Sequence, residues 1–347
     1  MTLARAQGEG VAVVITGSPV EDDLGGFRHE AALYRGVADL PRAVLPFIRE
    51  GVARREPVMV AMVPDRLELL EHALGADATR VDFVDMSELG ANPACIIPEW
   101  RRFLDDTRDL GPVRGVGEPV WDGRRDVELD EAELHESLLN LAFDGGPSWR
   151  LLCPYDASSL PHGVVRDALR NHPHVYPVDP RSGADPAGYV GHPHAVERFT
   201  ELLPDPPGQA TRVAFHAGDL GALRRRIRDV AGGAGLDRGA RDNLVLAMHE
   251  LAANSILHAG GGGVLSFWRE PDALVVEVRD RGRIDDVLVG RGPLDLDAEN
   301  GRGIWIANQL CDLVQVRSGP EGTQVRLWTW VDPGQWRATT STDIAAR

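Results

Sequence analysis

One stretch of the chain places three polar side chains on the same face of an apolar helix. The segment "MHELAANSILHAGGGG" has Glu250, Asn254 and His258 at intervals of four residues, and residues four apart lie on nearly the same side of a helix. Burying such a stripe is costly unless a ligand satisfies its polar groups. A magnesium-bound phosphate would do so, because Mg²⁺ combines few protein oxygens with phosphate oxygens and water. The alternative is a solvent-facing polar stripe on an ordinary amphipathic helix.

Two glycine-containing patterns follow this helix. Asp280 ends a strand and Gly282 comes two residues later. The carboxylate can accept a hydrogen bond from an exocyclic amine such as that of adenine, and the glycine lets a flat ring approach the backbone. Gly301 and Gly303 precede another helix, where free backbone amides and the helix dipole favour phosphate. Each pattern alone is typical of an ordinary turn, so their order within one segment is what indicates a nucleotide site.

The ordered set resembles the ATP-binding domain shared by gyrase, histidine kinases and MutL, and most closely its anti-sigma-factor (RsbW-type) branch of serine kinases. "HELAANSILHAGG" is similar to the N-box of that family, "DRG" to its G1 box, "GRGIWIANQLCD" to its G2 box and "GT" to its last box. The resemblance covers about residues 210–332. It implies an α+β two-layer sandwich, the Bergerat ATP-binding fold.

The resemblance also implies roles for the matching residues. Glu250 would be the general base that orients or deprotonates the attacking hydroxyl, and Asn254 would bind Mg²⁺. Arg302 is the expected γ-phosphate contact, in keeping with the affinity of arginine for phosphate. We interpret His258 as a structural cap of the last helical turn. The residues expected to contact Mg-ATP are Asn254, Asp280, Gly282, Gly301, Arg302, Gly303 and Thr323.

The implied function is that of a signalling regulator. The expected activity is binding of a sigma factor, or phosphorylation of a serine or threonine on a STAS-type antagonist. The resemblance also implies that the ATP domain forms a homodimer. A histidine kinase would carry its acceptor histidine on a long helix before this domain, whereas here Pro193 stands between His192 and His194 and is expected to break a helix. Two alternatives stay open: a sensor histidine kinase feeding a response regulator, and a non-catalytic, ATP-dependent protein-binding switch.

The first half of the chain alternates short apolar runs with segments of helical spacing. The runs "PVMVAMVP", "RVDFVDM", "PVRGVGEPVW" and "WRLLCPYD" are predicted strands, and such alternation predicts a parallel α/β sheet. The Pro- and Gly-rich residues 177–210 predict a linker with one short helix near residues 195–203. The predicted organisation is therefore a domain over residues 1–176, the linker, a second domain over residues 211–332 and a disordered tail over residues 333–347.

The pieces "HEAALYRG", "VMVAMVP" and "LLCPYD" resemble the MEDS sensory domain of methanogen and methylotroph regulators (DcmR type). The resemblance covers about residues 27–176 and implies a RecA/KaiC-like parallel sheet without a working P-loop. The chain contains no lysine, whereas a P-loop needs one to reach the phosphates. The family is proposed to sense small organic molecules, so a small-molecule signal is expected here.

The candidate residues for a sensory pocket are His29, Glu118 and Cys153, with Glu136 as a further possibility. An open parallel sheet binds ligands beyond the carboxyl ends of its strands, so we expect the pocket near residues 115–118 and 154–156. A metal is a second hypothesis, but the spacing follows no known ligand pattern, and we favour scattered core and loop positions for the residues concerned, which are His29, Cys153, His162, His172 and His174.

Charge and cysteine usage exclude several other classes of function. A net charge of −16 repels phosphate backbones, which argues against direct binding of nucleic acid. No run of 18 apolar residues is present, so no membrane span is predicted. The three cysteines are widely separated and form no CxxC pattern, which favours a reducing, cytoplasmic location.

Overall fold

The structure is a computed structural model that describes residues 26–176, 188–292 and 302–331. These residues form two units, each built on its own β-sheet. Within the described ranges, no helix has both the length and the apolar character needed to cross a membrane. Gly301, the predicted tail and part of the predicted linker lie outside the described residues.

The first unit is a six-stranded parallel sheet with helices on both faces. Its strands are β1 (Phe27–Tyr34), β2 (Val58–Met62), β3 (Asp82–Asp85), β4 (Val113–Gly117), β5 (Trp149–Asp156) and β6 (His174–Val175). They lie in the order β3-β2-β4-β5-β1-β6. The helices are α1 (Leu40–Arg54), α2 (Pro64–Leu74), α3 (Met86–Leu89), α4 (Ile96–Asp106), α5 (Asp126–Phe143) and α6 (His162–Asn171). The predicted α/β class is confirmed.

Strand β1 is absent from the predicted strands, yet it lies inside the sheet between β5 and β6. Three ionisable residues near its start, Arg28, His29 and Glu30, make the strand hard to recognise in the sequence, because charged residues are unusual in a buried strand. The fold compensates the charge of Glu30, which is 1% exposed, through ion pairs with Arg28 at 2.9 Å and Arg150 at 2.8 Å.

Alternation along β1 and β5 divides their side chains between two apolar layers. Ala32 and Tyr34 pack with α1 on one side of the sheet. Ala31 and Cys153 pack with α4 and α5 on the other. His29, two residues before Ala31, shares the α5 side, because successive residues of a strand alternate between its faces.

The second unit is a five-stranded antiparallel sheet with three helices over one face. Its strands are β7 (Thr211–His216), β8 (Gly262–Glu270), β9 (Ala273–Asp280), β10 (Leu313–Gly319) and β11 (Gly322–Trp330), in the order β10-β11-β9-β8-β7. The helices are α8 (Leu220–Gly233), α9 (Arg238–His258) and α10 (Arg302–Leu310). One apolar core joins helices and sheet, and the predicted α+β two-layer sandwich is confirmed.

Two details of this unit differ from what the sequence pattern predicts. The spacing of apolar residues in "GIWIANQLCDLV" predicts a helix over residues 303–314, but the helix ends at Leu310, because Leu313 and Val314 pair with β11 as the start of β10. The apolar pattern of α9 predicts Leu246 in the core with Leu244, but Leu246 is 45% exposed. Two residues turn a helix by roughly 200°, so the two leucines point in opposite directions.

A short helix, α7 (His192–Thr200), lies within the predicted linker and contacts both α5 and β10. Pro193 does not break this helix. It lies in the first turn, where an amide proton has no intrahelical partner and proline is therefore tolerated. Arg198 pairs with Glu133 of α5 at 3.1 Å, so the helix is fixed to the first unit.

Candidate functional site

The polar stripe of α9 meets the first turn of α10. Glu250 and Asn254 are both half-buried. A Cβ atom added at Gly303 would lie 2.5 Å from Asn254 Nδ2 and 3.4 Å from Glu250 Cβ. Only glycine permits this approach without displacing Asn254. The tertiary structure thus brings together the carboxylate, the amide and the glycine-led helix N-terminus.

His258, the third residue of the stripe, is exposed at the last position of α9. A protonated imidazole at this end interacts favourably with the helix dipole. The position agrees with the interpretation of His258 as a cap.

Asp280 forms a second polar group beside the same helix. Its Oδ2 accepts a hydrogen bond from Ser255 Oγ at 2.5 Å, and its Oδ1 accepts one from the Gly282 amide at 2.8 Å. Two hydrogen bonds orient the carboxylate, and each oxygen keeps a further lone pair for an outside donor. Ser255 follows Asn254 directly, so α9 connects this group to the stripe.

A chain of hydrogen bonds holds the turn after Asp280 against the last two strands. The Ile284 amide donates to Ser318 Oγ at 2.8 Å, and Ser318 Oγ lies 2.8 Å from Thr323 Oγ1. Thr323 Oγ1 donates to the Gly282 carbonyl oxygen at 2.9 Å. An amide only donates and a carbonyl only accepts, so the Ser318 hydroxyl must donate to Thr323 Oγ1.

The predicted nucleotide residues therefore fall into two adjoining groups. Glu250, Asn254 and Gly303 form one, and Asp280, Gly282 and Thr323 form the other. Arg302 is exposed at the first position of α10, and Gly301 lies outside the described residues. Sequence reasoning missed Ser255 and Ser318; the available signal was a hydroxyl residue within an otherwise apolar pattern.

The candidate sensory residues do not form one pocket. His29 and Cys153 meet, with 3.3 Å between Nε2 and Sγ. Glu118 belongs to a separate group, in which it pairs with Arg66 and accepts a hydrogen bond from Tyr34 Oη at 3.2 Å.

The first unit also contacts the helix that carries Gly303. Asn92 Nδ2 donates to the carbonyl oxygen of Asn308 in α10 at 3.1 Å, and Asn308 Nδ2 donates to the Gly290 carbonyl at 3.0 Å. Glu131 of α5 pairs with Arg317 of β10 at 2.5 Å. Both α5 and the turn around Asn92 are therefore in direct contact with the second unit.

Comparison with known families identifies both units. Residues 28–173 match the family described as the MEthanogen/methylotroph, DcmR Sensory domain, MEDS. Residues 213–329 match the family described as Histidine kinase-like ATPase domain. The chain joins a MEDS domain to a histidine kinase-like ATPase domain. The ATPase domain is of an ATP-binding family, and its matched range contains both groups of candidate nucleotide residues.

One similar solved structure is that of the RsbU and RsbW domains of Rv1364c from Mycobacterium tuberculosis. The identity is 19% and the TM-score is 0.28, over 36% of this chain and 32% of that chain. The matched part is thus about a third of that structure. No curated protein matches the sequence.

Proposed function

We propose that this protein is a signalling regulator whose ATPase domain uses Mg-ATP to phosphorylate a serine or threonine of a STAS-type antagonist, or to capture a sigma factor. The MEDS domain would control that activity. The observation that carries the proposal is the close approach of Glu250 and Asn254 to Gly303 in the first turn of α10. A carboxylate can take the proton of an attacking hydroxyl, an amide oxygen can bind Mg²⁺, and a helix N-terminus can hold phosphate oxygens.

The residues present fit a magnesium nucleotide. The amide oxygen of Asn254 is a hard donor suited to Mg²⁺. The start of α10 offers free backbone amides to phosphate oxygens, and the close approach at Gly303 leaves no room for a side chain there. Asp280 retains acceptor capacity for an exocyclic amine. Bound ATP would supply the phosphoryl group.

The chain itself would position the acceptor and take its proton. Glu250 is half-buried and lies beside Asn254, so its carboxylate would accept the proton of an incoming hydroxyl at the phosphate end of the site. Arg302 would oppose the charge that develops on the transferred group.

Transfer to another protein is favoured over transfer to a histidine of this chain. In the described segment before the ATPase domain, the helix α7 has nine residues. Its His194 is buried with Nε2 3.5 Å from Glu133. The other histidine of this helix, His192, has a side chain that is 39% exposed, but it lies in the first turn of a short helix and not on the long helix expected of a histidine kinase.

The test is incubation of the full chain with γ-labelled ATP and Mg²⁺, with and without purified STAS-type proteins. We expect acid-stable label on the partner, lost in Glu250→Ala and retained in Asp242→Asn. Asp242 is the matched control, because it is a carboxylate on an exposed face of the same helix.

The other outcomes contradict the proposal in different ways. Acid-labile label on this chain would identify a histidine kinase. Measured ATP binding with no transfer to any partner, and with ATP-dependent capture of a protein, would identify a non-catalytic switch.

A further inference from the structure

Four metal-ligand side chains converge inside the MEDS domain, outside the nucleotide site. They come from β1, α5, β5 and the residue that follows α6, and they are His29, Glu136, Cys153 and His172. Their ligand atoms all lie within 4.8 Å of one another. None of the four residues is more than 2% exposed.

The distances suit a single ion. Glu136 Oε2 lies 3.1 Å from His29 Nε2 and 3.1 Å from His172 Nε2, and His29 Nε2 lies 3.3 Å from Cys153 Sγ. Ligands of a tetrahedral ion with bonds of about 2.0–2.3 Å are separated by roughly 3.3–3.8 Å. A small adjustment of the side chains would therefore enclose an ion.

The outer ring nitrogens fix the tautomers of both histidines. His172 Nδ1 lies 2.7 Å from the Ala168 carbonyl oxygen, and His29 Nδ1 lies 3.2 Å from Asn140 Oδ1. Asn140 Nδ2 donates to the Asn171 carbonyl at 2.8 Å, so Oδ1 is the atom that faces His29. Both Nδ1 atoms must carry the proton, and both Nε2 atoms direct lone pairs to the centre. This is the usual arrangement behind metal-binding histidines.

The centre is poor in hydrogen-bond donors. Both oxygens of Glu136 and Nε2 of His172 are buried with no hydrogen-bond partner. Acceptors that face one another in an apolar interior are costly unless a cation lies between them.

We propose that His29, Glu136, Cys153 and His172 bind one divalent transition-metal ion of the zinc class. Imidazole, thiolate and carboxylate are the side-chain ligands that Zn²⁺ takes in tetrahedral sites, whereas Mg²⁺ and Ca²⁺ prefer oxygen ligands throughout. Binding would release the thiol proton of Cys153 to solvent, as metal binding by cysteine does.

A cavity of about 270 Å³ borders the site on the side of Glu136. It lies between α5 and α6, and its lining includes Glu136 and Tyr155 together with the apolar side chains of Leu129 and Val164. The Tyr155 hydroxyl is also buried without a hydrogen-bond partner. Of the four proposed ligands, Glu136 is the one that also lines this cavity.

The experiment uses the full chain without a histidine tag, stripped with a chelator and titrated with Co²⁺ and then Zn²⁺. We expect uptake of one ion per chain, with a near-ultraviolet thiolate-to-cobalt band that Zn²⁺ removes. Cys153→Ser should lose this band, whereas Cys311→Ser, which changes a buried cysteine of the ATPase domain, should keep it. His172→Ala and Glu136→Gln should each weaken binding by at least about tenfold.

Zn²⁺ should also raise the Tm of the parent chain by more than it raises that of Glu136→Gln, when both are measured at an ion concentration that does not saturate the weakened site. This measurement decides the question even if His172→Ala does not fold, because glutamine preserves the shape of the side chain. Absence of metal uptake by the folded parent chain, or equal uptake by the parent and Glu136→Gln, would overturn the proposal. Neither measurement involves ATP, so a negative result here is independent of the kinase assay.

Discussion

The polar cluster of the ATPase domain and that of the MEDS domain differ in whether their carboxylates have hydrogen-bond partners within the protein. In the ATPase domain, Asp280 is hydrogen-bonded to Ser255 and Gly282, and Glu250 and Asn254 are half-buried. In the MEDS domain, Glu136 is fully buried and both its oxygens lack a donor. A site for a ligand that comes and goes must be stable without it. A site whose buried groups have no partner requires a resident ion, since each such group costs about 1–3 kcal/mol.

The largest difference is expected between two glutamates of α5, Glu131 and Glu136. Glu131 is 1% exposed and pairs with Arg317 at 2.5 Å and Arg291 at 3.7 Å. Glu131→Gln leaves two buried arginines without a counter-charge, so we expect a loss of about 3–5 kcal/mol in the free energy of unfolding. In the metal-free chain, the free energy of unfolding of Glu136→Gln should stay within about 1 kcal/mol of the parent value. The substitution removes a buried carboxylate charge whose oxygens have no hydrogen-bond partner.

Chemical denaturation of both metal-free variants gives these free energies. Equal losses in the free energy of unfolding would contradict the expected difference. They would mean that a protonated histidine stabilises the Glu136 carboxylate as the arginines stabilise Glu131.

The next effect concerns the magnesium position. Asn254→Ala should weaken Mg-ATP binding or phosphoryl transfer by roughly 10²-fold, the loss typical of one preorganised electrostatic contact. Calorimetric titration with ATP, with and without Mg²⁺, measures it directly. Asp242→Asn on the same helix should behave as the parent chain does. An unchanged Mg-ATP affinity in Asn254→Ala would contradict the assignment of the site.

A smaller effect is expected where α10 approaches α9. Gly303→Ala places a Cβ 2.5 Å from Asn254 Nδ2, so the amide must move, and we expect nucleotide affinity to fall about tenfold. Gly221→Ala is the matched control, because its Cβ would meet only Arg225 at 3.7 Å and alanine favours a helix. Equal affinities in the two variants would show that the close approach has no part in nucleotide binding.

The smallest effect is expected at the exposed end of the stripe. His258→Ala should reduce stability by less than about 1 kcal/mol through loss of the dipole interaction, and should leave ATP affinity unchanged. A large decrease in phosphoryl transfer with normal stability would instead make His258 part of the reaction.

Much of the ATPase site could be predicted because its residues are ordered locally. The helical period alone puts Glu250 and Asn254 on one face. The DxG and GxG patterns each consist of residues two apart in sequence. The alternation of strands and helices likewise predicts the α/β class of the first unit, and the family resemblance implies the two-layer sandwich of the second. Ser255 escaped notice because a serine within an apolar helix looks structural until Asp280 is seen beside it.

Only the tertiary structure decided the composition of the MEDS cluster. His29 and Cys153 are 124 residues apart in sequence, and no local period relates them to Glu136 or His172. They meet because β1 pairs in parallel with β5 and both present these side chains to the layer under α5. Glu118 follows the end of β4 and pairs with Arg66 instead. Strand pairing and sheet face are set by long-range packing, so they determined which of the candidate residues share a site.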